Sequence, residues 1–151
     1  MLGFFRRKKG KPDLHSEDHW VLAEGEVDGQ RLFVRTNAVL EHYIGDTDFT
    51  IKVGIVIPRQ LKGSGLPDPG EVGQLDSIED MAYDSMGRFG DAIHALTLTN
   101  DQMREMVFYV KEGFDIQGFH EMLMAKVDTH KVQCMGTREP DRATYREWGC
   151  V

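Results

Sequence analysis

Apolar and polar positions alternate with period two in several stretches of this chain and recur at helical spacing in others. Phe49, Ile51, Val53, Ile55 and Ile57 alternate with Thr50, Lys52, Gly54 and Val56 until Pro58 ends the run, which predicts a central strand. Over residues 92–99, Leu96 and Leu98 fall on one side and Thr97 and Thr99 on the other. Asn100-Asp101-Gln102 interrupts the pattern, and residues 103–111 resume it with Met106, Phe108 and Val110 opposed to Glu105, Val107 and Tyr109. The pair predicts a β-hairpin. A second hairpin is predicted upstream, where two extended segments flank Asp28-Gly29, a dipeptide suited to the positive φ angles of a tight turn. In it Trp20 and Leu22 share one face, as do Leu32 and Val34, and Trp20 reads as a core anchor.

Two longer segments carry the helical period. Over residues 71–86, Val72, Leu75, Ile78, Ala82 and Met86 form one stripe, with Pro69 at the first helical position and Asp68 and Glu71 as a capping pair. Glu79, Asp80 and Asp84 fall off that stripe and read as a solvated face. Asp115 is placed to cap a second helix whose apolar positions are Ile116, Phe119, Leu123 and Val127, and Val132-Gln133-Cys134 predicts a last strand. Asn37 is expected to cap a single helical turn at 38–43, and Asp141 a short terminal helix that Tyr145 and Trp148 pack back on the body.

From Phe49 the predicted order is strand, helix, strand, strand, helix, strand. That is the α+β pattern of a ferredoxin-like βαββαβ sandwich, with helices on one face of a mainly antiparallel sheet. The N-terminal hairpin would precede it and extend or cover the sheet. The opposite face must then be solvated, buried by a partner or covered by the terminal segments. Residues 1–17 are expected to be a flexible basic and polar tail, and residues 18–151 a single α+β domain.

Charge sharpens this division. The net charge is −7, yet residues 1–11 hold Arg6, Arg7, Lys8, Lys9 and Lys11 and no acid, so the remainder carries −12. An acidic body lacks the basic stripe of a nucleic-acid binder, and direct nucleic-acid binding is not expected. Leu2, Phe4 and Phe5 before the cations suggest weak contact of residues 1–11 with anionic membranes. No run approaches the length of a membrane span, and the order of apolar and charged residues at the start is not that of a signal peptide. Two cysteines, Cys134 and Cys150, make neither a disulfide framework nor a zinc pattern, which suits a cytoplasmic setting.

Candidate chemistry is sparse. His15 and His19 have the i, i+4 spacing of a helical metal site but no third ligand nearby, and Asp46 and Asp48 lack the rest of a calcium loop. The Lys62–Gly70 stretch is rich in glycine and proline and leads into a helix, yet no phosphate-loop ending follows and Asp68 and Glu71 already bring negative charge there. A nucleophile at Cys134 would need His94, His120 or His130 beside it, whereas its strand parity with Val132 favours burial. Ser64 between Gly63 and Gly65 lacks the outer spacing of a nucleophile elbow. The pairs Glu24 with Glu26 and Glu79 with Asp80 show no pattern of burial, and His94, by its parity with Leu96, reads as a partly buried structural histidine. No catalytic, cofactor-binding or metal-binding residue is therefore assigned.

Three stretches carry a resemblance: His19-Trp20-Val21-Leu22-Ala23 with its Asp28-Gly29 turn, Ser77-Ile78-Glu79-Asp80, and Arg104-Glu105-Met106-Val107-Phe108-Tyr109. Together they resemble the bacterial family known as domain of unknown function 695, over about residues 18–148. Near the end the chain departs from the family pattern of Asp-Pro followed by Trp and Tyr, since it reads Glu139-Pro140-Asp141 with Tyr145 before Trp148. The family has no established activity, so the resemblance transfers no site. Some members are joined to a domain similar to the protein regulator of ribonuclease E, which implies regulatory protein binding. The expectation is a non-enzymatic cytoplasmic module that binds a protein partner or its own copy through an open sheet face or edge. The alternative is a small-molecule sensor or enzyme with its site between the sheet and the Lys62–Gly70 loop.

Overall fold

A computed structural model describes residues 2–4, 20–43, 48–60 and 67–149. The element order is β1 (Leu2–Phe4), β2 (Trp20–Val27), β3 (Gln30–Asn37), a 3-10 segment (Ala38–Tyr43), β4 (Ile51–Pro58), α1 (Pro69–Met86), β5 (Ala92–Thr99), β6 (Met103–Val110), α2 (Ile116–Lys126), β7 (Gln133–Arg138) and α3 (Ala143–Gly149). The expectations for His15, His19, Asp46 and Ser64 fall outside the described residues, as do 62–66 of the Lys62–Gly70 loop and most of the 1–17 tail.

The strands form one seven-stranded sheet in the order β1-β2-β3-β5-β6-β4-β7, and every pairing is antiparallel. The α+β class is as the sequence predicts. The sheet as a whole departs from a bare ferredoxin-like layout, because β3 joins β5 and so splices the N-terminal hairpin into the same ladder. The turn between β2 and β3 has the expected positive φ at Asp28 (52°) and Gly29 (82°).

Apolar side chains build a core on each face. On one, Val53, Ile55, Met106 and Phe108 pack under Leu75, Ile78 and Ala82 of α1 and Phe119 and Leu123 of α2. On the other, Leu32, Val34, Leu96, Val107 and Tyr109 pack with Leu40 of the 3-10 segment and Tyr145 of α3. The helices are thus not confined to one face. The terminal helix and the 3-10 segment close part of the second face, since Tyr109 and Tyr145 supply an apolar surface the sheet must bury.

A bulge decides the fate of His94. Pairing of β5 with β6 shifts between His94 and Leu96, leaving Ala95 as the extra residue. His94 therefore lies with Thr97 on the α1 face, opposite Leu96, and not on the side of Leu96 as simple alternation predicts.

Candidate functional site

The segments singled out in the sequence converge on one buried polar network. Glu79 of α1, 7% exposed, accepts from Arg35 of β3 at 2.5 and 2.6 Å, from Arg104 of β6 at 3.3 Å and from Thr97 of β5 at 3.3 Å. Arg104 also reaches Asp76 at 2.6 Å and Thr99 at 3.0 Å. His94 lies 2.9 Å from the Thr97 hydroxyl, stacks on Phe108 at 4.4 Å and meets the edge of Trp20 at 4.9 Å. Arg35 in turn sits 5.6 Å from the Trp20 ring. Glu79 is not on a solvated face: the cations of two strands turn it inward, and a carboxylate is buried only when so compensated. Trp20 is a half-buried lid over His94 and Arg35, not a core anchor. Asp80, exposed beside this network, is held above the ordinary carboxyl range by local desolvation and by Glu79, Asp84 and Asp76.

A second network joins the end of β4 to the start of α1. Asp68 caps α1 by accepting from the Glu71 N–H at 2.9 Å, but the Glu71 carboxylate does not complete a capping box. It accepts instead from the Gln60 N–H at 2.8 Å and Arg59 Nε at 3.1 Å, and lies 2.9 Å from His130 Nε2. Burial pushes the Glu71 carboxyl up, and these three donors together outweigh it and hold the group below its ordinary value.

A third network seats α3. Glu139, not Asp141, caps this helix: its Oε1 accepts from Thr144 N at 2.8 Å and from the Tyr109 hydroxyl at 2.6 Å. Burial and the Glu139 hydrogen bond raise the Tyr109 pKa. Lys52 stands 3.5 Å from Glu139, and the Tyr145 hydroxyl donates to the Asn37 carbonyl at 3.1 Å.

In each network the charged groups bind one another and tie elements together. The histidines proposed beside Cys134 are engaged elsewhere: His94 with Thr97, His130 with Glu71, and His120 with the Val132 carbonyl at 3.2 Å. Burial pushes the half-buried Cys134 thiol up to about 11, which opposes thiolate formation. Among the described residues no group of three or more His, Cys, Asp or Glu is arranged to hold a metal ion, and no helix is long and apolar enough to cross a membrane.

Besides a polar recess of about 350 Å³ lined by Asp48, Thr50, Lys111, Glu112 and Arg138, two surface features among the described residues have room for a ligand. A cleft of about 330 Å³ on the α3 side of the sheet is lined by Leu32, Leu98, Met103 and Trp148 with Asp28, Arg31 and Asn100 at its rim. The other is β7, last in the strand order, with no strand beyond it among the described residues. Its backbone alternation follows from one bond: Glu139 N–H donates to the Thr50 carbonyl at 2.7 Å, in register with the β4–β7 ladder. In an antiparallel ladder alternate residues face the partner, so Gln133, Met135 and Thr137 bond to β4 while Cys134, Gly136 and Arg138 aim their N–H and C=O groups outward. Met135 is 66% exposed on the α3 side of this edge. On the other side, Met124 of α2 is 53% exposed one turn from His120, whose ring reaches the Val132 carbonyl, so both lie on the flank of α2 above the edge. The sequence predicted a strand only to Cys134; the exposure of Met135 to Arg138 hides the alternation that would have extended it.

A family model described as "Family of unknown function (DUF695)" matches residues 18–148. No curated protein and no solved structure matches the chain.

Proposed function

Because the chain belongs to the DUF695 family, whose function is unknown, we propose a role from its own geometry: it is a non-enzymatic protein-binding module that accepts an extended segment of a partner along the outer edge of β7. The observation that carries this reading is the edge itself. It offers outward N–H and C=O groups at Cys134, Gly136 and Arg138, and residues 133–137 contain no charge and no proline. Soluble proteins guard open edges with lysine, proline or a bulge, and β7 has none of these between its ends. Strand addition uses such an edge, with backbone bonds giving affinity and alternate side chains giving selectivity.

The same reading takes β4 to β7 with α1 and α2 as a ferredoxin-like core, supported by the order β5-β6-β4-β7 and by one helix after β4 and one after β6. We place the protein in the bacterial cytoplasm, in keeping with two cysteines in no framework, and assign residues 1–11 weak contact with anionic membranes.

The test is selection of displayed extended peptides against the intact protein, followed by amide exchange. Bound peptides are expected to slow exchange at Cys134, Gly136 and Arg138, and to bind Cys134→Pro poorly. Proline there removes an outward donor and leaves the β4 ladder in place. Peptides that protect only other amides would refute the edge. A second reading, a small-molecule site, is favoured by the cleft beside Trp148, and ligands that quench Trp148 fluorescence and raise the melting temperature would support it.

A further inference from the structure

We infer that the segment added at β7 is the β7 strand of a second copy of this chain, paired antiparallel about a two-fold axis through Met135. The inference rests on the strand-addition reading and deepens it.

Any antiparallel two-fold pairs residues of like face, and the exposed Met135 is what sets the axis here. A two-fold axis normal to the sheet keeps each residue on its own face, so opposed residues must share both face and backbone direction. Centred on Met135, Cys134 falls opposite Gly136 of the second copy. Both aim their backbone groups outward, so each such pair exchanges both bonds. Met135 falls opposite itself in a non-hydrogen-bonded pair, where side chains approach most closely and its exposed thioether chain would be covered. Gln133 falls opposite Thr137, two neutral polar residues.

Charge also explains why this edge suits a second copy. Two chains of net charge −7 repel, and residues 133–137 are an uncharged stretch along which they approach without apposing like charges. Screening by salt weakens the repulsion between the bodies more than it weakens backbone bonds, so association should strengthen as ionic strength rises.

The test uses the full chain. Light scattering is expected to show a dimer whose fraction grows with concentration and with salt. Met135→Lys, at a surface position, should be monomeric, because it sets two ammonium groups directly opposite each other, and should melt as the unaltered protein does at concentrations where that protein is also monomeric. In a Cys134→Ser, Cys150→Ser background, Met135→Cys should form a disulfide-linked dimer on mild oxidation at least ten times faster than Thr137→Cys. Cα atoms of a non-hydrogen-bonded pair are about 4.5 Å apart, within disulfide reach, whereas the two Thr137 positions would lie roughly 13 Å apart along the strands. A monomer at every concentration and salt, or cross-linking at Thr137→Cys equal to that at Met135→Cys, overturns the inference. A monomer that still captures peptides at β7 removes only the second copy; a monomer that captures none removes the strand-addition reading as well.

Discussion

Glu79 holds Arg35 by two hydrogen bonds, at 2.5 and 2.6 Å, and through this grip helix α1 is tied to the hairpin that extends the sheet. Arg104 approaches the same carboxylate from β6 at 3.3 Å. Removing the carboxylate leaves the Arg35 guanidinium without its counter-charge, facing that of the buried Arg104, which keeps only Asp76. Glu79→Ala should therefore cost roughly 3 kcal/mol in urea denaturation, and Glu79→Gln less, because the amide oxygen still accepts one of these bonds. If the loss localises as expected, amides of β2 and β3 will exchange faster than those of β4 in the variant.

Gly90 tests a backbone constraint. Its φ is 147°, and an added Cβ would lie 2.9 Å from Phe114 Cδ2 and 3.0 Å from Phe114 Cα. The second of these is main chain and cannot move aside. Gly90→Ala should lower stability by about 2 kcal/mol, whereas Gly87→Ala, with a negative φ and open space at its Cβ, should change it little.

What the sequence made legible was local. The stripe of Leu75, Ile78, Ala82 and Met86, the caps Asp68 and Asp115, and the Asp28-Gly29 turn all depend on neighbours a few residues apart, and each is present. The burial of Glu79 depends on Arg35 and Arg104, 44 and 25 residues away, and no periodicity reports such a partner. His94 was misplaced because the bulge at Ala95 changes parity without changing composition. The candidate edge was legible only as a class of feature: strand order, not residue pattern, leaves β7 outermost.

Acid should unfold the protein partly through Glu71 and Glu139, whose folded-state values both lie below the ordinary 4.5. For Glu139, burial is outweighed by the Tyr109 and Thr144 donors and by Lys52. A lowered value means that the unfolded chain takes up the proton first. The stability these groups contribute is therefore intact above about pH 5 and drains away as pH falls through 4.5 toward the folded values. Glu71→Gln should flatten this acid limb of a plot of stability against pH while leaving the region above pH 6 parallel to that of the unaltered protein.

The basic residues of the N-terminal segment should give weak, salt-sensitive binding to vesicles of anionic lipid. Each cation near such a surface contributes up to about 1 kcal/mol, and the remaining charge of −12 opposes approach. Cosedimentation of the intact chain at low salt, lost at high salt and lost on deleting residues 1–11, is the expected result; equal binding by both forms would rule out the contact. Leu2–Phe4 pairs with β2, so the deletion also bares that strand's edge, and its melting curve must be measured alongside.

Glu105 stands on the α3 side of the sheet opposite Leu98 of β5 and Val56 of β4, and its Oε2 lies 3.0 Å from where a Cβ on Gly54 would be. Burial raises its pKa, and Lys52 only partly offsets this. A raised value reverses the sign argued for Glu71. The folded state binds the proton more tightly, so at neutral pH the ionised group opposes folding, and the opposition fades as pH falls through the folded value. Glu105→Gln keeps the shape and removes the charge. It should raise stability at pH 7 by up to about 1 kcal/mol. The gain should shrink steadily on acidification and vanish below the ordinary carboxyl value of 4.5, where the natural residue is itself neutral in both states. Paired urea titrations of the two proteins at pH 7 and pH 4 decide this, and a gain that is the same at both pH values would show that packing, not desolvated charge, is what the substitution relieves.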